Sequence, residues 1–503
     1  MQIEPAGELF AARYAAGEPQ VVWTTLVADL ETPVSAFLKV ANRPMSFLLE
    51  SVEGGATRGR YSIIGLEPDV IWRANGAGAE ISRGRFASNG FAPCPQSPLE
   101  ALRALLAESR IDLPHDLPPM AAGLFGYLGY DMVRLMEELP TQKPDPLGLP
   151  DALLTRPTLI IVFDTVKDTL TVVTPVRPQA EVSAKAALAR ATERISGVVD
   201  ALDAPLDKEA AGEEAGPITV PAQSNTDPAD YKAMVLRGKE YIAAGDVFQV
   251  VLSQRFEVPF ALPPFSLYRA LRRVNPAPFL FFLDYGGFAI AGSSPEILVR
   301  LRGSTVTLRP LAGTRPRGAT PHEDKELEDE LLADPKERAE HLMLLDLGRN
   351  DVGRVAAIGT VNVTDQFCIE RYSQVMHIVS NVEGKLANGR DAIDALIGGF
   401  PAGTVSGAPK VRAMQIIDEL EKEKRGVYAG CVGYFSAAGE MDTCIVLRTA
   451  LIKDGKMYVQ AGAGIVADSE PTFEQTECVN KAKALFRAAD EARRFASGGK
   501  RGQ

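Results

Sequence analysis

The chain has 503 residues, of which 46% are hydrophobic and 24% charged, and its formal net charge is −11. These values are typical of a globular protein of two or more domains, and the acidic balance argues against a nucleic-acid-binding surface. The five cysteines include no C-x-x-C pair, which favours reduced thiols over a disulfide framework. The amino-terminal segment lacks the apolar core of a signal peptide, and no apolar run is long enough to cross a membrane. We therefore expect a cytoplasmic protein.

The first two hundred residues alternate short strands with helices. Apolar alternation predicts strands, and a helical apolar period predicts amphipathic helices. The expected strands are 21–27, 47–52, 61–66 and a hairpin that turns at Lys167 and Asp168, and the expected helices are 99–109 and about 180–202.

Residues 201–227 are rich in Pro, Gly, Ala and acidic residues. This composition is typical of a linker between domains. We therefore predict three segments, with a first region over residues 1–200, a linker over 201–227 and a second domain over 228–495.

The second domain begins with a helix signal, because Asp227 can cap a helix and Pro228 fits its first turn. A hairpin at 286–287, a helical tract over 323–349 and a long strand over 442–452 are expected further along. Hairpins are many and strand–helix–strand crossovers are few. The pattern predicts an α+β fold, in which antiparallel β-sheets pack as a sandwich with helices on the outside.

The stretch 460–481 brings several polar groups together. We expect a strand, a Gly-x-Gly turn at 462–464, and then a helix that places Glu474, Glu477 and Lys481 on one face. Carboxylates, an ammonium group and bare backbone N–H groups suit a small anion held through a metal ion, although a solvated helix face gives the same pattern. A dinucleotide-binding turn is disfavoured, because no helix begins at the second glycine.

Glu337 and Glu340 form a second carboxylate pair with a spacing of three. A solvated helix is the simpler interpretation of either pair alone, whereas two such pairs in one chain make a shared metal site plausible. Carboxylate oxygens fit Mg²⁺, which keeps water ligands and often shares its shell with an anionic substrate. The histidines and cysteines show no zinc-ligand spacing.

Three further side chains have chemistry that suits a site. Glu296 follows an apolar strand, where burial would make it a general acid, although a solvated strand-end carboxylate fits equally well. His377 lies within a strand, where a histidine is more often structural. Arg448 is a natural clamp for a carboxylate, unless it forms an ordinary salt bridge.

Six long runs occur in a fixed order along the second domain. They are PLAGTRPRG (310–318), AEHLMLLDLGRNDVGRV (339–355), RYSQVMHIVSNVEG (371–384), GTVSGAPKVRAMQIIDELE (403–421), DTCIVLRTA (442–450) and QAGAGIVADSEP (460–471). In these runs the chain resembles the chorismate-utilising enzymes and, more closely, the large subunits of anthranilate synthases. The resemblance is close over about 228–490 and weaker before that.

Two positions separate the activities within this family. Isochorismate and salicylate synthases have a water-activating Lys where this chain has Gln249, and aminodeoxychorismate synthases often have a nucleophilic Lys where it has Ala312. Because both lysines are absent, the resemblance implies a lyase that makes anthranilate and pyruvate from chorismate and ammonia in tryptophan biosynthesis. An aminodeoxychorismate synthase component, or a non-catalytic tryptophan-binding regulatory subunit, remains as the alternative.

The resemblance also implies a role for each site residue. Mg²⁺ would neutralise the ring carboxylate of chorismate and favour loss of its 4-hydroxyl group, which Glu296 would protonate. His377 would assist the elimination of pyruvate. The implied residues are Glu296, His377 and Thr404 for catalysis, Glu337, Glu340, Glu474 and Glu477 for the metal, and Gly313, Thr314, Tyr428, Arg448, Gly462, Ala463, Gly464 and Lys481 for the substrate.

Segments on both sides of the linker resemble a feedback site for L-tryptophan, which makes residues 1–200 a regulatory region. Phe279 and Leu280 stand where the family commonly has Tyr-Met, and the exchange keeps the bulk of the side chains; a buried strand is the plainer interpretation of residues 48–51. The expected inhibitor residues are Glu50, Ser51, Arg60, Tyr61, Ser62, Pro278, Phe279 and Leu280.

A glutaminase needs a nucleophilic Cys with a partner His, and the sequence offers no Cys–His–Glu set of this kind. We therefore expect the chain to use free ammonia, or to receive ammonia from a separate glutamine amidotransferase small subunit in a hetero-oligomer. No nucleic-acid or membrane partner is expected.

Overall fold

The structure, a computed structural model, describes residues 1–51, 59–84, 89–140, 143–206, 221–372 and 375–496. The helices are α1 (Gly7–Ala15), α2 (Pro33–Val40), α3 (Pro98–Glu108), α4 (Ala184–Asp203), α5 (Pro228–Ala243), α6 (Pro264–Val274), α7 (Pro321–Ala333), α8 (Pro335–Gly353), α9 (Ala392–Gly399), α10 (Gly403–Ser406), α11 (Lys410–Leu420) and α12 (Pro471–Ala496).

The strands are β1 (Gln20–Val27), β2 (Ser46–Ser51), β3 (Tyr61–Asn75), β4 (Gly78–Arg83), β5 (Ala92–Pro93), β6 (Gly123–Leu128), β7 (Ala152–Asp164), β8 (Thr169–Val176), β9 (Gln223–Ser224), β10 (Gln249–Pro259), β11 (Phe279–Asp284), β12 (Ala289–Ser294), β13 (Ile297–Arg302), β14 (Thr305–Leu308), β15 (Leu311–Pro316), β16 (Asn362–Arg371), β17 (Val375–Lys385), β18 (Gly407–Ala408), β19 (Cys431–Ser436), β20 (Met441–Ile445), β21 (Thr449–Lys453) and β22 (Lys456–Ile465). The predicted α+β class with antiparallel strands is confirmed.

Hydrogen bonds between strands connect the two ends of the chain. β2 pairs with β11 from Ser46 opposite Asp284 to Ser51 opposite Phe279, and β6 pairs with β19. β9 lies within the predicted linker and pairs with β10, while residues 207–220 of that linker lie outside the described part of the chain. Strands from both sides of the linker therefore share one sheet, and the division into two domains stays a prediction.

Short-range sequence signals place several elements as predicted. The hairpin β7–β8 turns at Asp168, which adopts a positive φ of 49°, and the hairpin β11–β12 turns at Gly286. α5 begins after Asp227, whose Oδ1 accepts a hydrogen bond of 2.8 Å from the backbone N–H of Ala229. Residues with strong local preferences therefore fix these turns and this helix end.

Three local predictions are wrong. The glycines of 462–464 lie inside β22 and not in a turn, because β10 pairs with them along the whole segment. The tract 323–349 forms two helices, since Asp334 ends α7 and caps α8 by accepting from the N–H groups of Lys336 and Glu337. The strand predicted over 442–452 is divided into β20 and β21, because Arg448 has a positive φ of 47°.

α12 is anchored by an apolar face. Ala482, Leu485, Ala488 and Ala489 recur at helical spacing and are fully buried in a cluster that includes Leu271 of α6. Full burial of a leucine side chain contributes about 1.5–3 kcal/mol. This packing holds the first turns of α12, with Glu474 and Glu477, next to the end of β22. No described helix is both long and apolar enough to span a membrane.

Candidate active site

A buried carboxyl group lies directly after β12. Glu296 follows Ser294 and Pro295, and its side chain accepts a hydrogen bond of 3.0 Å from Oγ1 of Thr404 in α10. The backbone N–H of Leu311 donates to the same carboxyl group. Burial raises the pKa of Glu296 to about 8, although both donors favour the charged form. Glu296 therefore holds a proton at neutral pH, as a general acid must.

His377 is buried in β17 and contacts the neighbouring strand β15. Its Nδ1 lies 2.8 Å from the carbonyl oxygen of Gly313 and 3.1 Å from Oγ1 of Thr314. A carbonyl oxygen only accepts, so Nδ1 donates and Nε2 retains its lone pair. Burial lowers the pKa of His377 to about 4, which keeps the ring neutral at pH 7. The arrangement suits a base.

Arg448 lies between β20 and β21 in a backbone conformation that is uncommon for residues other than glycine. Burial lowers the pKa of its guanidinium group, and the nearby Tyr372 partly offsets that effect. No carboxylate among the described residues pairs with Arg448, and its charge contributes to the low pKa of His377. A desolvated guanidinium group without an anionic partner attracts a carboxylate.

The first carboxylate pair lies on α8. Nη1 of Arg315 donates to Glu337 at 3.3 Å, and Nε2 of Gln249 donates to Glu340 at 3.2 Å. Gly313 has a positive φ of 71°, and a Cβ there would lie 3.2 Å from Oε2 of Glu337. Burial, and then the charge of Glu340, raises the pKa of Glu337. Glu337 of this pair therefore lies beside Gly313, the residue of β15 that holds His377.

The second carboxylate pair lies on α12. Glu474 is buried, whereas Glu477 is partly exposed and forms an ion pair of 2.6 Å with Lys481. Nζ of Lys481 also donates to the carbonyl oxygen of Gly462 at 2.9 Å. Burial raises the pKa of Glu474; Ser469 opposes this effect by donating a hydrogen bond, and the charge of Glu477 adds to it. Lys481 is thus occupied by groups of the protein itself.

Gln249 connects the first carboxylate pair with β22. Its Nε2 contacts Glu340, and a Cβ on Gly464 of β22 would lie 2.7 Å from that same nitrogen. The described residues include no group of three or more His, Cys, Asp or Glu side chains that could hold a metal ion alone. Within each pair one carboxylate adds to the raised pKa of the other, although Arg315 and Lys481 each pair with one member. Such partial sites fit Mg²⁺, which fills its shell with water and substrate oxygens.

One edge of β22 is available near these groups. β10 pairs with β22 as far as Ile465, whereas β21 pairs with it only as far as Val459. A Cβ on Gly462 would lie 2.9 Å from the hydroxyl oxygen of Tyr428, which is buried. Ala463 is buried between the two glycines. Among the described residues, the segment 460–465 therefore has a paired strand on one side only, next to the side chains of Tyr428, Gln249 and Lys481.

Seven of the eight residues predicted for an inhibitor line one cavity of about 880 Å³. Ser51 and Phe279 face each other in the β2–β11 pairing, and Glu296 lines the same cavity. Glu50 is buried and accepts hydrogen bonds from Tyr268 and Arg272. Ser62 is buried in β3 and does not line the cavity; the predicted residues that do are Glu50, Ser51, Arg60, Tyr61, Pro278, Phe279 and Leu280.

Comparison with known proteins identifies the family. The profile described as "chorismate binding enzyme" matches residues 60–487. Anthranilate synthase component 1 of Cereibacter sphaeroides is 59% identical over 492 residues, which are 97% of this chain and 98% of that protein. The chain belongs to the chorismate binding enzyme family. Within it, the chain groups with the anthranilate synthase component 1 proteins and is therefore an enzyme.

Two further members of the family agree with this placement. Anthranilate synthase component 1 of Pseudomonas aeruginosa is 49% identical over 472 residues, covering 92% of this chain and 94% of that protein. The crystal structure of anthranilate synthase component I from Streptococcus pneumoniae superposes with a TM-score of 0.76 at 36% identity, covering 92% of this chain and 99% of the other.

Sequence reasoning missed the buried charges that surround α10 in this chorismate binding enzyme. Lys410 pairs with Asp351, and Arg425 pairs with Glu421; all four are buried. The signal in the sequence is weak. Lys410 closes the run GAPK, and Arg425 follows a charged stretch that is typical of a solvated helix end. Only the packing around them distinguishes these residues from surface charges.

Proposed function

We propose that this enzyme converts chorismate and ammonia into anthranilate and pyruvate, with Mg²⁺ bound by the two carboxylate pairs. The observation that carries the proposal is the buried Glu296, held by Thr404 and by the backbone N–H of Leu311, two residues before Gly313, which holds His377. The family description supports chorismate as the substrate, and the names of the relatives support anthranilate as the product.

The first half of the reaction needs an acid. Ammonia gives its lone pair to a ring carbon, the ring double bonds shift, and the bond from the ring to the 4-hydroxyl oxygen breaks. The new ammonium group then loses a proton to solvent. Hydroxide is a poor leaving group, so Glu296 donates its proton and the group departs as water. Thr404 and the N–H of Leu311 then stabilise the carboxylate that remains on Glu296.

The second half needs a base. Removal of a ring proton by Nε2 of His377 lets the C–H electron pair enter the ring. The bond from the ring to the enolpyruvyl oxygen then breaks, and that fragment leaves as pyruvate after protonation. Gly313 fixes the tautomer of His377 through its carbonyl oxygen.

The carboxylates of chorismate need positive partners. Arg448 supplies a guanidinium group with no carboxylate partner in the described structure, and the free edge of β22 supplies backbone groups. Glu337, Glu340, Glu474 and Glu477 would hold Mg²⁺, which when bound neutralises the ring carboxylate and polarises the ring.

Two positions support ammonia as the nucleophile. Gln249 uses its amide to hold Glu340. Ala312 is buried between Leu311, which donates to Glu296, and Gly313, which accepts from His377. A lysine at either position would place a competing amine or a water-activating base next to the ring. Alanine and glutamine leave ammonia as the available nucleophile.

Two further parts of the proposal concern partners. Ammonia would come from the glutamine amidotransferase small subunit of a hetero-oligomer, as the words "component 1" in the names of the relatives suggest. L-tryptophan would inhibit by binding in the cavity lined by Ser51, Pro278 and Phe279, which is large enough for an amino acid.

One product assay tests the function. The purified chain is incubated with chorismate, MgCl₂ and an ammonium salt at pH 8, and the products are separated by chromatography. We expect fluorescent anthranilate and an equal amount of pyruvate, both reduced by added tryptophan. Isochorismate or salicylate would overturn the choice of nucleophile, aminodeoxychorismate would assign the neighbouring activity, and tryptophan binding without turnover would indicate a regulatory subunit.

A further inference from the structure

Thr404 lies on a helix that is too short to be stable on its own. α10 is a single turn of four residues between α9 and α11. Within the turn, Oγ of Ser406 donates to the carbonyl oxygen of Ala402 at 2.8 Å, and the N–H of Gly407 donates to the carbonyl oxygen of Gly403. One helical turn is unstable without support, because few hydrogen bonds repay the ordering of its backbone. The position of Thr404 must therefore come from contacts outside α10.

Lys410 connects the two ends of the segment that contains α10. Its buried Nζ donates to Oδ2 of Asp351 at 2.7 Å and contacts the carbonyl oxygen of Gly399 at 3.4 Å. Residue 399 ends α9 and residue 410 begins α11, so a single cation joins both ends of the intervening segment. Asp351 lies on α8, which also carries Glu337 and Glu340.

A second buried cation holds the backbone next to Thr404. Nη1 of Arg425 donates to the carbonyl oxygen of Val405 at 2.7 Å, and Nη2 donates to the carbonyl oxygen of Val251 in β10. Its ion pair with Glu421 neutralises its charge. Val405 is thereby fixed to β10 on one side, while Lys410 fixes the ends of the segment to α8 on the other.

We propose that Lys410 and Asp351 are positioning residues that hold Thr404 against Glu296. A buried ion pair rarely adds stability over apolar side chains of similar volume, so a pair at this place has another use. Here the ion pair fixes the position of the one-turn helix α10 relative to α8. The reaction depends on this because Thr404 orients the carboxyl group that donates the proton. The assignment of Glu296 as the acid rests on the proposed function.

Other charged residues lie near the Lys410–Asp351 pair, and their effects must be distinguished from that of the pair. Arg354 and Glu137, which pair with each other at 2.9 Å, are the other charged groups that act on Lys410. Burial and Glu370 raise the pKa of Tyr372, and the charge of Glu296 adds to this effect. These residues are unchanged in the variants below, so their influence is the same in each comparison.

The test is a double variant, Lys410→Met with Asp351→Leu, in the full chain. Replacing both partners by apolar side chains avoids an unpaired buried charge, so we expect the thermal unfolding midpoint to stay near that of the wild type. We expect kcat to fall about tenfold to a hundredfold with little change in KM for chorismate. Infrared difference spectra, with the Glu296 band assigned by its loss in Glu296→Gln, should show the carboxyl group titrating at higher pH, because it has lost a donor that favours the anion.

Thr404→Val supplies the decisive comparison. If the pair acts through Thr404, adding Thr404→Val to the double variant moves neither kcat nor the Glu296 titration further. Full additivity, or a double variant that titrates and turns over like the wild type, would overturn the proposal. Arg156→Met with Asp69→Leu removes a pair between β7 and β3 and should leave the band unchanged. The infrared titration needs no turnover, so it tests the positioning even if the proposed reaction fails.

Discussion

The Nδ1–H of His377 donates to the carbonyl oxygen of Gly313 at 2.8 Å, and this contact decides which nitrogen can act as a base. Gly313 can present its carbonyl oxygen in this way because its positive φ turns the backbone within β15, where the register with β17 shifts between Ala312 and Arg315. Nε2 of the neutral ring is left with a lone pair. The same glycine lies beside Glu337, so the base and the first carboxylate pair share one structural support.

Replacing His377 by Asn should slow the release of pyruvate about a hundredfold or more, because general base catalysis is commonly worth that much. Chorismate should still be aminated, so a ring compound that retains its enolpyruvyl group should accumulate. Mass spectrometry of the quenched reaction measures both. Pyruvate release at the wild-type rate would remove His377 from this role, and the exposed His322→Asn serves as the control.

The raised pKa of Glu296 predicts that activity is lost at alkaline pH. The acid works when protonated, so its contribution is present below its pKa and is lost as the pH rises through about 8. Glu296→Gln should lower kcat about a hundredfold or more at pH 7. Thr404→Val removes a donor that favours the anion, so the alkaline limb of kcat should move to higher pH.

The measurement is kcat against pH, with ammonia kept saturating at every pH so that its own titration does not shape the curve. A wild-type kcat that stays constant to pH 9.5 would contradict a pKa of about 8 for the acid. A downward movement of the limb in Thr404→Val would contradict the role given to that hydrogen bond.

The sequence alone was sufficient to predict which side chains lie on the same face of a single helix. The spacing of Glu337 and Glu340, and of Glu474 and Glu477, placed each pair on one helix face, and the structure has both pairs on helices. Helical spacing depends only on local geometry, which the order of residues specifies. Whether such a face meets water or a ligand depends on its neighbours, so the spacing left that question open.

Contacts between distant segments determine several local conformations that the sequence patterns did not predict. Gly462 and Gly464 predict a turn, because glycine commonly marks turns. In the structure they belong to a strand, because β10 pairs with them. Arg448 interrupts a β-rich run through its positive φ, which no residue type in the run predicts. The burial of Lys410 likewise depends on Asp351, which lies 59 positions earlier in the chain. These features arise from contacts between distant segments.

Glu477→Gln should weaken Mg²⁺ binding by about tenfold or more, because an ionised carboxylate is a far better Mg²⁺ ligand than an amide. Calorimetric titration of Mg²⁺ into the protein, with and without chorismate, measures the affinity, and turnover at low Mg²⁺ should fall in parallel. Glu326→Gln, an exposed position on α7, is the matched control. Unchanged affinity and unchanged kinetics at low Mg²⁺ would exclude Glu477 as a ligand.

Ser51→Leu should abolish most inhibition by tryptophan while kcat stays near the wild-type value. Ser51 lines the cavity and donates through Oγ to the carbonyl oxygen of Tyr61 at 3.0 Å, so a leucine adds bulk to the cavity wall at this position and removes the contact. Anthranilate fluorescence at increasing tryptophan concentrations should give an inhibition constant at least about tenfold higher. Thr25→Leu, at an exposed position of β1, should be inhibited by tryptophan as strongly as the wild type. If tryptophan inhibits both variants equally, it binds elsewhere.

Arg448 should determine the affinity for chorismate. A hydrogen bond to a charged group contributes about 1.5–3 kcal/mol, so Arg448→Gln should raise KM for chorismate about tenfold to a hundredfold. The described structure gives Arg448 no carboxylate of its own, so the substitution leaves no protein anion unpaired and folding should be retained.

Chemical rescue separates the charge of Arg448 from its role in the backbone turn. In Arg448→Ala, added guanidinium ion at non-denaturing concentration should restore part of the lost affinity, because the small cation can occupy the place of the missing group. Arg349→Gln removes an exposed arginine that pairs only with Asp346 among the described residues, and its KM should stay within about twofold of the wild type. A KM that is equally unchanged in Arg448→Gln would show that the carboxylates of chorismate bind elsewhere. Loss of affinity without rescue would indicate that the positive φ at position 448, and not the charge, shapes the site.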